Sequence, residues 1–290
     1  MHATLQHQTI STNGINEHVV SAGPESGRLL IFLHGFPEFW YGWRKQIDFF
    51  ANLGYRVLAP DQRGYNLSDK PKGLSAYHLD ELAKDIVGLI DAAGREQALI
   101  VGHDWGAAVA WWLGIKHAAR VEKLAVLNAP HPQIMRQHLF HNAAQRRKSW
   151  YMFFFQLPRL PEWRFAKDNW AIGARALTKT SRPGTFGEAD LAQYRAAWSQ
   201  PGAATGMINW YRAALRRQPK LSGHAAIRVP TLLLWGARDR FLGREMAQPS
   251  IALCEQGRLV MIEEASHWVQ HEEAEKVNAL LSEFFELAAS

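Results

Sequence analysis

Asp104 stands in Gly102-His103-Asp104-Trp105-Gly106, a small-x-nucleophile-x-small sequence with a carboxylate where esterases and lipases carry serine. Such a sequence makes a strained turn that pushes its central side chain into the open, and only small neighbours let the backbone fold so tightly. A carboxylate held that way is a candidate covalent nucleophile. Two downstream residues can complete it. Asp239, in Gly236-Ala237-Arg238-Asp239, and His267, in Ala265-Ser266-His267-Trp268, follow in the order acid, then histidine. A histidine with an unperturbed pKa of ~6.5 can take a proton from water, and an aspartate can hold its tautomer. Among the 13 histidines, His34, His103 and His131 read as hydrogen-bonded structural residues, and Asp61 as the residue that orders the loop from Gln62 to Asp69.

These residues need a scaffold. Ala98-Leu99-Ile100-Val101 reads as a buried strand entering the turn, and Ala107 to His117 as the helix leaving it. Thr4 to Val20 alternates weakly around Asn13-Gly14, a strong hairpin turn. Leu29 to Leu33, Arg56 to Ala59 and Lys123 to Leu127 are further strand-like runs, with helices expected around Trp43 to Leu53 and Ser75 to Ala93. Strands alternating with helices at this spacing predict an α/β fold, a mostly parallel central sheet with helices on both faces. The alternation stops at Asn128-Ala129-Pro130 and gives way to helix-like aromatic stretches. Strands resume at Thr231 to Trp235 and Arg258 to Ile262, and an amphipathic helix runs from about Glu272 to Leu287. The expectation is a core of residues 1–130 and 223–290 with an inserted all-helical cap over 131–222. Asp239 and His267 then each follow the carboxyl end of a strand.

With 47% hydrophobic and 21% charged residues, the 290-residue chain has ample material for one such core. The single cysteine, Cys254, excludes an internal disulfide and reads as an inert helix filler. Met1 to Ile10 lacks a basic or long apolar leader, and no run approaches the ~18 apolar residues of a membrane span. A cytoplasmic protein without membrane insertion is expected. The net charge of +6 is uneven: residues 131–222 carry 15 Lys+Arg against 4 Asp+Glu, the remainder 18 against 23. A basic segment can meet nucleic acid. Here it is interleaved with 14 of the 33 aromatics and lacks a nucleic-acid motif, which reads as a solvated face over an aromatic underside. No nucleic-acid partner is expected.

Further segments carry a resemblance: His34-Gly35-Phe36-Pro37-Glu38, Asp61-Gln62-Arg63-Gly64-Tyr65 and Asn128-Ala129-Pro130-His131-Pro132. The helical insert adds Ser149-Trp150-Tyr151-Met152-Phe153-Phe154-Phe155-Gln156 and Asn209-Trp210-Tyr211-Arg212. Together with the Gly102–Gly106 turn they resemble the α/β-hydrolase-fold epoxide hydrolases, over nearly the whole chain. In that family each insert segment supplies a tyrosine hydroxyl over the nucleophile, which implies Tyr151 and Tyr211 here. The N–H groups after the early glycine and after the nucleophile form an oxyanion hole, which implies Phe36 and Trp105. Asp104 is then expected to attack an epoxide, and water activated by His267, backed by Asp239, to hydrolyse the alkyl ester to a vicinal diol. The expected partners are a small epoxide and water, with no metal or organic cofactor, in a monomer or homodimer. Phe36, Pro37, Trp105, Phe154 and Trp268 are the expected substrate contacts. Phe153, Phe155, Trp163, Phe165 and Trp170 are further candidates for an apolar lining.

Two alternatives stay open. Dehalogenases of the same fold also use an aspartate nucleophile, and the indoles of Trp105 and Trp210 could hold a halide. Paired tyrosines suit an alkoxide better, and Trp105, Ala107 and Ala108 stand where the fluoroacetate enzymes place arginines. The fold could also serve a non-catalytic ligand-binding protein.

Overall fold

Asn13 and Gly14 take positive φ, 42° and 76°, the left-handed pair that a two-residue hairpin turn requires. They close β1 (Gln6–Thr12) onto β2 (Ile15–Ala22). The chain then alternates through β3 (Leu29–Leu33), α1 (Arg44–Asn52), β4 (Arg56–Pro60), α2 (Leu79–Ala92), β5 (Ala98–His103), α3 (Trp105–Lys116) and β6 (Val121–Leu127). Helices follow: α4 (Pro132–His141), α5 (Ala143–Lys148), α6 (Trp150–Phe154), α7 (Leu160–Thr180), α8 (Glu188–Trp198) and α9 (Ala203–Arg216). Then come β7 (Thr231–Gly236), α10 (Ala247–Ile251), β8 (Gly257–Ile262), α11 (Val269–Glu272) and α12 (Ala274–Glu286). This computed structural model describes residues 3–216 and 226–286. The expected end of the insert at 222, and of the last helix at Leu287, lie outside the described residues.

The strands form one sheet in the order β1-β2-β4-β3-β5-β6-β7-β8. β2 pairs antiparallel with β1 and β4, and the remaining pairs are parallel. This is the α/β-hydrolase fold. A central parallel strand is covered on both faces and so must be apolar throughout; the five residues of β3 are all buried. Leu29, Ile31 and Leu33 join one core with Ile86 of α2 and Val109 of α3. Leu30 and Phe32 join the other with Phe50 of α1 and Phe285 of α12. Because β3, β5, β7 and β8 run parallel, the loops bearing Phe36, Asp104, Asp239 and His267 all leave the same edge of the sheet.

Three elements differ from expectation. The helix expected from Ser75 starts at Leu79, because His78 is extended (φ −72°, ψ 148°) and Leu74–Tyr77 makes a separate 3-10 turn. Asp80 and Glu81 then lie at the positive end of the helix dipole. A short α11 precedes the last helix, parted from it at Glu273 (φ −125°, ψ 43°). Cys254 is outside any helix: α10 stops at Ile251, and Cys254 bridges Ile227 instead. Burial pushes its thiol up to about 11.

Candidate active site

Asp104 is the single residue between β5 and α3, at φ 52° and ψ −116°. That backbone region costs a non-glycine residue about 1–3 kcal/mol and persists only where its surroundings fix it. The flanking glycines permit it. A Cβ on Gly102 would lie 2.4 Å from the Gly106 carbonyl oxygen, and one on Gly106 would lie 2.1 Å from that of Leu33. A Cβ on Gly35 would meet Asp104 itself, 2.6 Å from Oδ1. The loop after β3 therefore lies directly on the carboxylate, and the Phe36 N–H donates to Oδ1 at 2.8 Å. Trp105 is the first residue of α3, where a helix offers its N–H no internal acceptor.

Nε2 of His267 stands 3.5 Å from Oδ2 of Asp104, and its Nδ1 lies 2.7 Å from Oδ2 of Asp239. Oδ1 of Asp239 accepts from the N–H groups of Phe241 and Leu242 at 2.7 and 2.9 Å. Its Oδ2 also accepts from Asn128 Nδ2 at 2.8 Å. Burial works to raise the Asp239 pKa, but the charge of His267 and these hydrogen bonds hold it below the usual carboxylate range. The His267 ring is 2% exposed, and burial by itself would strip its charge. The carboxylates of Asp239 and Asp104 outweigh burial and raise its pKa to about 10. In the resting site the ring is thus an imidazolium between two carboxylates, not the neutral base that an ordinary pKa of ~6.5 implies. Of the two aspartates only Asp104 reaches solvent, its side chain 15% exposed against 0% for Asp239.

Of the residues that orient this relay, sequence reading gave His103 as a hydrogen-bonded structural residue and passed over the others. Asn128 follows β6 at φ 44°, and while Nδ2 serves Asp239 its Oδ1 accepts from the Gly236 N–H at 2.8 Å. His103 Nε2 donates to the His267 carbonyl at 2.8 Å. Buried Glu38 accepts from the Tyr194 hydroxyl at 2.7 Å, His271 Nε2 at 2.7 Å and Gln270 Nε2 at 2.9 Å. Gln270 Nε2 also reaches His103 Nδ1 at 3.1 Å. Burial would raise the Glu38 carboxyl, yet His271 and His103 hold it well below the usual range. The one local signal was Asn128-Ala129-Pro130, where the alternation breaks. The other structural histidines are placed as such: His34 accepts from the Gln62 N–H and His131 caps α4 through the Gln133 N–H. Asp61 takes Asn66 Nδ2 at 2.7 Å and the Trp40 N–H at 3.1 Å, which orders its loop.

A cavity of about 690 Å³ opens onto Asp104 and His267. Phe36, Pro37 and Trp268 line it from the sheet side; Tyr151, Phe154, Phe155, Phe165 and Tyr211 line it from α6, α7 and α9 and the turn after α6. A smaller cavity of about 170 Å³ shares Asp104, Tyr151 and Tyr211, and Trp105 lines this one. The two tyrosine rings meet edge to face at 5.8 Å. Burial, then the charges of Asp104 and Asp239, raise the Tyr151 hydroxyl pKa against a hydrogen bond from Tyr211. Burial, Tyr151 and Asp104 likewise raise Tyr211, opposed by a hydrogen bond from the Trp105 side chain. Three expected lining rings lie elsewhere. Phe153 and Trp163 are exposed, and Trp170 is set against Phe165 and Trp198. Successive helical residues point about 100° apart, so three adjacent phenylalanines cannot all face one cavity; Phe154 and Phe155 do. Trp210 donates its indole N–H to the Arg63 carbonyl at 2.9 Å. Among the described residues no group of three or more His, Cys, Asp or Glu is placed to hold a metal ion.

The chain matches the alpha/beta hydrolase fold family over residues 28–274. It is similar to the AB hydrolase superfamily protein YfhM of Bacillus subtilis, 46% identical over 96% of each chain. It is also similar to epoxide hydrolase 4 of Homo sapiens, 39% identical over 95% of this chain and 77% of that protein. Among solved structures, it is similar to a mutant epoxide hydrolase from Bacillus megaterium complexed with its product, (R)-3-[1]naphthyloxy-propane-1,2-diol. That likeness has a TM-score of 0.86 and 34% identity over 97% of this chain and 100% of the other.

Proposed function

The chain belongs to the epoxide hydrolases of the α/β-hydrolase fold, and from that membership we propose a two-step reaction through a covalent ester on Asp104. The observation that carries it is the run of contacts from Phe36 N–H through Asp104 and His267 to Asp239, facing Tyr151 and Tyr211 across one cavity. Asp104 attacks an epoxide carbon, forming the ester bond as the ring C–O bond breaks. The departing oxygen takes a proton from Tyr151 or Tyr211, whose raised pKa values keep the phenols protonated at neutral pH until an alkoxide, far more basic, develops. Esterification removes the Asp104 charge and its hydrogen bond, two of the influences that raise His267. The imidazolium then returns a proton to the tyrosinate and becomes the neutral base. It takes a proton from water, which adds to the ester carbonyl while the N–H groups of Phe36 and Trp105 hold the oxyanion. Collapse releases the diol and restores the Asp104 carboxylate opposite an imidazolium. In this reading the helices between β6 and β7 are a cap, because side chains from α6, α7 and α9 roof the cavity.

The apolar lining of Phe36, Phe154, Phe155, Phe165 and Trp268 suits an aryl or long alkyl epoxide, and the volume lies within the usual range for small-molecule sites. The naphthyloxy diol of the Bacillus megaterium enzyme supports the aryl case. A halide-releasing reaction is less well supported, since the indoles of Trp210 and Trp105 are engaged by the Arg63 carbonyl and the Tyr211 hydroxyl.

His267→Gln separates the two steps. Incubated with a reactive aryl epoxide, the variant should gain a mass equal to the epoxide, located on Asp104 by peptide mapping, while diol release falls by about 10³-fold or more. A folded variant that never acquires the adduct excludes the ester route.

A further inference from the structure

Among the described residues no helix is long and apolar enough to cross a membrane, yet the surface at the mouth of the large cavity has the chemistry of one that meets lipid. Trp150, Phe153, Leu157, Leu160 and Trp163 are each between 44% and 63% exposed. They crowd into α6, the following turn and the start of α7, whereas the rest of the described chain exposes only four other large apolar side chains. Scattered single exposures are ordinary; five within fourteen residues mark a contact surface. Trp150 and Leu160 also line the cavity, so the patch runs into its mouth.

Cations frame it. Arg147 and Arg164 line the same cavity, and Arg159 and Lys167 lie in the same stretch. None of these four has an ion-pair partner within 4.0 Å among the described residues. Of the two acids in this stretch, Glu162 is locked to Arg212 at 2.6 Å and Asp168 is exposed beside Lys167. Exposed Trp, Phe and Leu beside Arg and Lys that form no ion pair among the described residues, with Lys167 Nζ 5.3 Å over the Trp163 ring, are what an interfacial element presents to an anionic bilayer. A second copy of this chain fits poorly, because face-to-face pairing would oppose two segments that each carry 15 Lys+Arg against 4 Asp+Glu.

We propose that this face docks the protein on the surface of an anionic lipid bilayer, with the cavity mouth turned toward the headgroups. An apolar epoxide dissolved in lipid then enters without crossing water. The docking stands apart from the chemistry of Asp104; the delivery of substrate rests on the proposed function.

Cosedimentation of the full chain with vesicles tests it, comparing phosphatidylcholine alone with phosphatidylcholine mixed with phosphatidylglycerol, at low and high salt. The protein should pellet with the mixed vesicles at low salt and be released by high salt. Arg159→Gln/Lys167→Gln should weaken binding about fivefold per charge removed, and Phe153→Ser/Trp163→Ser by at least about tenfold. Both double variants should turn over a water-soluble epoxide as the unaltered chain does. No pelleting with the mixed vesicles, or pelleting unchanged by both variants, overturns the proposal. So does a dimer in sedimentation equilibrium that Phe153→Ser/Trp163→Ser dissociates while vesicles remain unbound. Failure of the unaltered chain to turn over any epoxide would count against the reaction and leave the docking result standing.

Discussion

Tyr151 and Tyr211 hold their protons for the same main reasons, so either can act as the acid. Burial and nearby charge raise both, and each is opposed by one hydrogen bond, from Tyr211 to Tyr151 and from the Trp105 side chain to Tyr211. Each bond stabilises a phenolate on the ring that accepts it, so both phenols can give a proton to a departing alkoxide. General-acid groups contribute about 10²–10⁴-fold. Tyr211→Phe and Tyr151→Phe should each slow single-turnover ester formation by up to about 10²-fold, and the double variant by ~10³-fold or more, because phenylalanine keeps each ring in place. Quenched-flow measurement of adduct mass would show it. A double variant within about tenfold of the parent removes both phenols from the mechanism.

At the scale of elements, the turn between β5 and α3 is fixed by two absent side chains. The Leu33 carbonyl at 2.1 Å from a Cβ on Gly106 belongs to backbone, which cannot swing aside. Gly106→Ala must push α3 off β3, an overpacking that costs about 1–3 kcal/mol. It also moves the Trp105 N–H and Asp104 together, so kcat/KM should fall by more than the loss of folded protein explains. Thermal melts and kinetics on the same preparation decide this; a variant that melts like the parent and keeps its kcat/KM would refute the packing argument. This turn was legible in the sequence because its requirements are local: glycines two residues either side of Asp104, an apolar run before and a helix after. β3 and the 232–235 stretch of β7 were legible for a similar reason, since both are buried on both faces and apolar throughout. The cap rings were not. Phe153 and Phe154 are equally apolar, and only the rotation of a helix barely more than one turn long sends one outward and the other to the cavity. Nor could a chemistry of single residues foresee that two carboxylates would raise His267 to about 10.

Across the whole molecule, Glu38 ties together parts of the chain that lie far apart in sequence. It accepts from Tyr194 of α8 and from His271 of α11, 156 and 233 residues away, and through Gln270 it supports His103, whose ring holds the His267 carbonyl. Arg44 adds a second link to α8 through Asp190 at 2.8 Å. It also approaches His271 Nδ1 at 3.3 Å; arginine only donates, so His271 keeps its proton on Nε2 for Glu38. Contacts of this range leave no periodicity to read, which is why the hub was invisible in sequence. Its energetics carry a definite sign. A carboxyl whose folded pKa lies well below its unfolded value of ~4.3 stabilises the fold fully above that value and loses the contribution as pH falls through the folded pKa. Tyr194 and His271 already share Oε1, so Glu38→Gln can keep their acceptor only by turning an amide NH2 toward the Gln270 donor on Oε2, and should cost about 3 kcal/mol at neutral pH, roughly 6 °C or more in Tm. The gap between parent and variant should stay constant down to about pH 5 and narrow below it. Melting curves across that range give the answer: equal Tm at neutral pH, or a gap that widens on acidification, means that Glu38 is not held ionised by this network.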